Sequence, residues 1–168
     1  MLYVEDVDRF VKVFKQRLKD CEVQRWRTDK QNVQKLYYYN MFKTEFNTEK
    51  YIQLNLPRKY VSAIANFRMS SHQLAIETGR HANIPRKDRL CKLCKENSDK
   101  TAVECEFHFL LVCELYDSLR KLHLSDFVST QKTIFNFVKI MKCPDEHVIH
   151  ALSKYLYSSF LYRDALLD

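Results

Sequence analysis

The chain has 168 residues, with 28 lysines and arginines against 21 aspartates and glutamates for a net charge of +7, and 46% of its residues are hydrophobic. That apolar content excludes an intrinsically disordered chain and suffices for one domain with a buried core, while the positive balance favours polyanionic partners. One glycine and three prolines exclude the glycine-rich phosphate loops of nucleotide-binding enzymes and a turn-rich all-β fold, which leaves a mostly α-helical protein.

From Val4 to about Lys30, Val7, Phe10, Val11, Phe14 and Leu18 recur at helical spacing with Lys12, Lys15, Arg17 and Lys19 between them. The pattern predicts an amphipathic helix with a basic face. The aromatic run "KLYYYNMF" follows as a second helix or short extended piece, with Leu36, Tyr37, Met41 and Phe42 as core candidates. In "YVSAIANFRMSSHQLAIETG" the buried candidates are Val61, Ile64, Phe67, Leu74 and Ile76. Ser70 and Ser71 can divide this run by capping a second helix, and Gly79 suits a left-handed helix cap. Residues 80–104 read as loop. Helices are expected from about Glu104, from Glu114 to Leu122, over "TIFNFVKIM", and after Pro144, the last with Asp145 as its cap. Residues 1–50 thus form an N-terminal basic helix with an aromatic helical segment. Residues 51–168 are expected to form a helical domain built around the cysteine-rich stretch taken up below, and the two to pack as one unit.

No apolar run reaches the length that crosses a bilayer, and the first residues lack the order of a signal peptide. The expected location is intracellular, nuclear or cytoplasmic, and without membrane partners. In such a reducing compartment six cysteines are better read as metal ligands or buried thiols than as a disulfide framework.

Cys91, Cys94, His108 and Cys113 follow the spacing C-x2-C-x13-H-x4-C. Zinc takes four thiolate or imidazole ligands in a tetrahedron, and a two-residue gap lets one tight turn supply two corners. On an unbroken α-helix His108 and Cys113 would be separated by about 500° of rotation, roughly 140° apart, and could not share an ion. A helix break is therefore expected, with His108 on one short helix, Cys113 at the start of the next and Glu114 in its first turn. Cys105 is an alternative ligand, and Cys21 and Cys143 read as isolated buried thiols. His147 and His150 read as solvated or capping groups, and His72 as either a core hydrogen-bonding group or a phosphate contact. Around the cysteines lie Arg80, Arg86, Lys87, Arg89, Lys92 and Lys95, a candidate phosphate-contacting set. If all six contacted a single strand, log affinity against log salt would fall with a slope of about −4.

Several stretches, "FKTEF…EKY", "FRMSSHQLAIETGRHANIPRKDRLCKLC", "VECEFHFLLVCELYDSLRKLHL" and "KYLYSSFLYRD", together resemble the region downstream of the reverse transcriptase domain in jockey-like non-LTR retrotransposon polyproteins. The resemblance runs from about residue 25 to 163 and is most specific over 67–120. It implies a zinc-binding module with Cys91, Cys94, His108 and Cys113 as ligands. The implied partner is the element's RNA or the DNA at its insertion site, whereas a reverse transcriptase domain is the partner expected if the module serves protein contacts instead. Two positions depart from the family: residue 105 is commonly acidic and is Cys here, and residue 114 is commonly proline and is Glu. The Y-x-D-D carboxylates that hold catalytic magnesium in a polymerase do not occur. The expected role is therefore non-catalytic nucleic-acid binding. A zinc-built platform for protein contacts, or a degenerate element product without a role, stands as the alternative.

Overall fold

The computed structural model describes residues 2–125 and 131–167. Helices α1 (Leu2–Asn32), α2 (Tyr37–Phe42), α3 (Lys50–Gln53), α4 (Arg58–Arg68) and α5 (Ala75–His81) precede the cysteine pair, and α6 (Lys92–Ser98) begins within it. A π-helix over His108–Val112 and a 3-10 turn over Glu114–Tyr116 lead into α7 (Asp117–Leu124), followed by α8 (Ile134–Lys142) and α9 (Glu146–Leu167). Among the described residues the β-pairing is the single antiparallel bridge between Leu90 and Val103. The mostly helical fold expected from the sequence is what the chain adopts.

The long α9 is the spine, packed along α4 and α7. Asp145 caps it as expected, its Oδ1 accepting from the backbone N–H of His147 at 2.8 Å and of Val148 at 3.2 Å. Between α4 and α9 the Phe109 ring lies 4.6 Å from both Tyr116 and Phe160 and 5.9 Å from Phe67. Offset and tilted rings at these spacings add to what burial alone contributes. The core therefore centres on the π-helix, and the cysteines of the expected metal site belong to the same buried cluster.

In the aromatic run Leu36, Met41 and Phe42 pack against the core as expected, and Tyr37 does not. A 3-10 turn at Gln34–Leu36 precedes α2, and its tighter winding rotates the side chains that follow. Tyr38, Tyr39 and Phe42 turn inward, Leu36 and Met41 are partly buried, and Tyr37 is 49% exposed. The run 60–79 is divided where the serines suggested, though by a different device. Ser70 adopts φ 51°, and its hydroxyl donates to Glu106 while the N-cap of α5 is Leu74. The expected loop 80–104 contains a 3-10 turn at Arg86–Asp88 and then α6.

Gly79 is not a left-handed cap, since it lies within α5 and no glycine has positive φ. It is there because the Arg89 side chain crosses it. A Cβ at this position would lie 2.7 Å from Cγ and 2.9 Å from Cδ of Arg89. Arg89 is held in that path by its Nε donating to Ile84 C=O and a terminal nitrogen donating to Ile76 C=O, both at 2.8 Å. Alanine normally improves a helix interior by up to ~1 kcal/mol, whereas overpacking costs roughly 1–3 kcal/mol. Gly79→Ala is therefore expected to lower the urea midpoint, and to raise it when made in an Arg89→Ala background.

Candidate metal centre

Two backbone pieces build the site. The first is a hairpin closed by the Leu90–Val103 bridge, in which Cys91 N–H donates to Ala102 C=O at 2.8 Å and Glu104 N–H to Arg89 C=O at 2.9 Å. Cys91 is the N-cap of α6, so Cys94 follows in the helix's first turn. The backbone N–H of Cys94 points at the Cys91 sulfur, and that of Leu115 at the Cys113 sulfur. Such N–H···S bonds favour thiolate over thiol.

The second piece resolves the rotation problem. Residues His108–Val112 form a π-helix in which Cys113 N–H donates to His108 C=O at 2.8 Å. An i→i+5 turn spreads one rotation over more residues, so five steps return to within about 50° of the start. The helix then breaks at Cys113, whose backbone is extended with ψ 118°, and Glu114 begins the following 3-10 turn. The expected break is present, and the wide turn before it brings the two ligands to one side.

A π turn leaves carbonyls unpaired, and buried ones need partners. Arg120 of α7 supplies them: its guanidinium donates to the carbonyls of Phe109, Leu110 and Cys113 while Asp117 balances its charge. Tyr155 of α9 adds an O–H donated to Phe109 C=O at 2.9 Å. The sequence places Tyr155 in the apolar pattern of the last helix but shows neither its bond to the π turn nor that of Arg120. The available signal was an arginine at helical spacing from Asp117 on a helix otherwise presenting leucines to the core.

The Cys91, Cys94, His108 and Cys113 side chains are all buried, and their ligand atoms lie within 4.8 Å of one another. Cys94 Sγ is 3.3 Å from His108 Nε2 and 3.5 Å from Cys113 Sγ. The edge of a tetrahedron with zinc–sulfur bonds of 2.3 Å is about 3.8 Å, so the cluster is near the size that encloses such an ion. A disulfide has its sulfurs about 2 Å apart, so the 3.5 Å between Cys94 and Cys113 is a contact between separate sulfurs. The hydrogen bond from Cys113 is the main pull on the Cys91 thiol, which falls to about 4 with His108 adding to the effect against burial. The same contact pushes Cys113 far up, with burial adding to it, and burial pushes Cys94 up. One thiol thus ionises readily at the expense of its neighbours. A divalent cation removes that conflict by binding all three as thiolates and releasing their protons.

Cys105 lies outside the cluster, with its sulfur 3.1 Å from the Tyr38 hydroxyl. Cys21 is exposed rather than buried, because its helix projects from the fold, and Cys143 is partly buried. His72 belongs to the core: its ring lies between Phe67 and Phe160, and its Nε2 is 3.1 Å from Glu106.

The basic set divides into two groups. Arg80 binds Glu77 through two nitrogens at 2.6 and 3.0 Å, and Arg89 is engaged by backbone carbonyls as described above. Arg86, Lys87, Lys92 and Lys95 are exposed, Arg86 and Lys87 on the 3-10 turn that precedes the cysteines and Lys92 and Lys95 on α6. Arg86 also lies over the ring of the exposed Tyr37, 4.5 Å from its centroid. Glu104, which sequence reasoning did not single out, links the hairpin to two helices. Its carboxylate accepts from Arg163 at 2.8 and 2.9 Å and from Ala75 N–H at 2.6 Å, and its backbone carbonyl accepts from Ile76 N–H.

Among the described residues no helix is long and apolar enough to cross a membrane. No protein-family model, curated protein or solved structure matches this chain.

Proposed function

We propose that the chain is a zinc-binding module that contacts the backbone of a nucleic acid and has no catalytic step of its own. The convergence of three buried cysteines and one histidine within 4.8 Å carries the metal part of this reading. Zinc is the ion that a closed Cys3His set of this size fits best, since no ligand position is left for water or substrate. Closing the hairpin and the π turn around one ion also fixes α6, the helix that carries Lys92 and Lys95, and the exposed Arg86 and Lys87 precede it in the chain.

Four cations on a preformed surface meet phosphates with little ordering cost. The exposed Tyr37 ring under Arg86 adds a face on which a base can stack, an arrangement suited to single strands. The resemblance to retrotransposon polyproteins suggests the setting: RNA of such an element, or DNA at its insertion site, presented to a reverse transcriptase domain. The alternative role is a platform for protein contacts.

With Arg80 and Arg89 committed internally, the salt slope expected for a single strand falls from about −4 to about −3. Fluorescence anisotropy of zinc-loaded protein on a short single-stranded RNA measures it. Changing Arg86, Lys87, Lys92 and Lys95 together to Gln is expected to abolish the slope and the binding while zinc content stays at one per chain. Salt-independent binding, or none, removes the nucleic-acid reading. Tight association with a reverse transcriptase domain that survives the fourfold change favours the platform.

A further inference from the structure

From Asp6 to Glu22 every side chain of α1 is exposed, and contact with the remaining fold begins near Val23 and Trp26. This projecting helix is not uniformly polar. Val4, Val7, Val11, Phe14, Leu18 and Cys21 recur at alternating intervals of three and four residues. That is the 3.5-residue period of a two-helix seam rather than the 3.6-residue stripe of a helix lying on a core. Val7 is 56% exposed, and Phe14 and Leu18 are each 51% exposed. Scattered apolar residues on a surface need no explanation, but a continuous row along a projecting helix marks a contact surface.

The flanks of the row identify the partner. Beside it stand Asp8 and Glu22 as well as Lys15 and Arg17. A helix that lies on anionic lipid carries cations along its flanks, whereas alternating signs suit a helix that pairs with its own copy. We propose that α1 pairs antiparallel with α1 of a second copy of this chain. With the twofold axis midway between Val11 and Phe14, each Val11 meets Phe14 of the other copy and each Val7 meets Leu18. The same register sets Asp8 against Lys15 of the second copy, twice, near the centre. It also lays Phe10, 68% exposed in the single chain, against the aliphatic stem of Arg17 of the other copy. The two helix dipoles oppose one another. The folded bodies, which begin near Val23, leave from opposite ends without crowding. The pairing is independent of the metal centre, so it stands whether or not the chain binds nucleic acid.

Sedimentation equilibrium of the full zinc-loaded chain is the test. A monomer–dimer equilibrium is expected, weakened about tenfold or more by Phe14→Asp at the seam, with zinc content and far-ultraviolet dichroism retained. Asp8→Lys and Lys15→Asp are each expected to weaken it, and the double exchange to restore it, because only the antiparallel register opposes these two positions. A monomer at every concentration overturns the proposal, as does a dimer indifferent to Phe14→Asp or charge exchanges without rescue. A parallel pair would instead join Arg17 to Glu22 and bring Cys21 beside its copy. Ready Cys21 disulfide formation in the dimer therefore also overturns the antiparallel arrangement, and a monomer that binds anionic vesicles through α1 overturns the choice of partner.

Discussion

Cys113→Ser is expected to eliminate bound zinc and to lower the melting temperature of the chain by about 10 °C or more. Structural zinc contributes on the order of 10 kcal/mol in small modules, comparable with the entire stability of most domains. Here the aromatic core around Phe109 would persist in part, so a loss of at least ~4 kcal/mol is the expectation, at ~2–4 °C for each kcal/mol in a chain of this size. Native mass spectrometry should find one zinc per chain in the wild type and none in the variant. Cys105→Ser is the matched control: its thiol meets Tyr38 and lies outside the cluster, so zinc should remain. A wild-type chain that is metal-free and equally stable would sink the assignment of the centre.

Glu104→Ala is expected to destabilise the fold by roughly 3–5 kcal/mol, the range for removing one partner of a buried ion pair. The carboxylate is 3% exposed and Arg163 is 7% exposed, so the arginine would be left charged and without its counterion. The loss also frees Ala75 N–H at the start of α5. Replacing both partners, as in Glu104→Ala with Arg163→Met, should recover much of the loss, because an apolar pair needs no compensation. Urea unfolding of the two singles and the double gives the coupling energy directly. Additive effects would show that the Glu104 carboxylate acts through Ala75 N–H of α5 rather than through Arg163.

The meeting of Cys91, Cys94, His108 and Cys113 was legible because its information is local. Two cysteines at a fixed gap, and a histidine and cysteine at another, report on short pieces of backbone whose geometry is known. The rotational conflict between His108 and Cys113 was legible for the same reason, and it required a departure from α geometry. Its form was not legible. A π turn is stable here because Arg120 and Tyr155 bring donors to its carbonyls from α7 and α9, and no local pattern reports such distant partners. Arg80 and Arg89 illustrate the same limit from the other side. In the sequence they belong to a basic run, yet folding brings Arg80 to Glu77 and Arg89 across Gly79. In the aromatic run the one misplaced candidate is Tyr37, which directly follows the 3-10 turn at Gln34–Leu36 and faces outward, while Met41 and Phe42 beyond it pack inward. By contrast, the Asp145 cap needed only its own neighbours.

The wide turn between His108 and Cys113 has a consequence for insertions and deletions. Four steps of an α-helix amount to about 400°, which leaves the first and last residues about 40° apart. Five steps of a π turn leave them comparably close. A His and a Cys separated by three residues on an α-helix could therefore reach the same ion as the four-residue gap seen here. Val112, the least buried residue of the wide turn, is where one residue is most easily gained or lost. A search for chains with this type of centre should accept both gaps, and a one-residue difference there need not separate relatives.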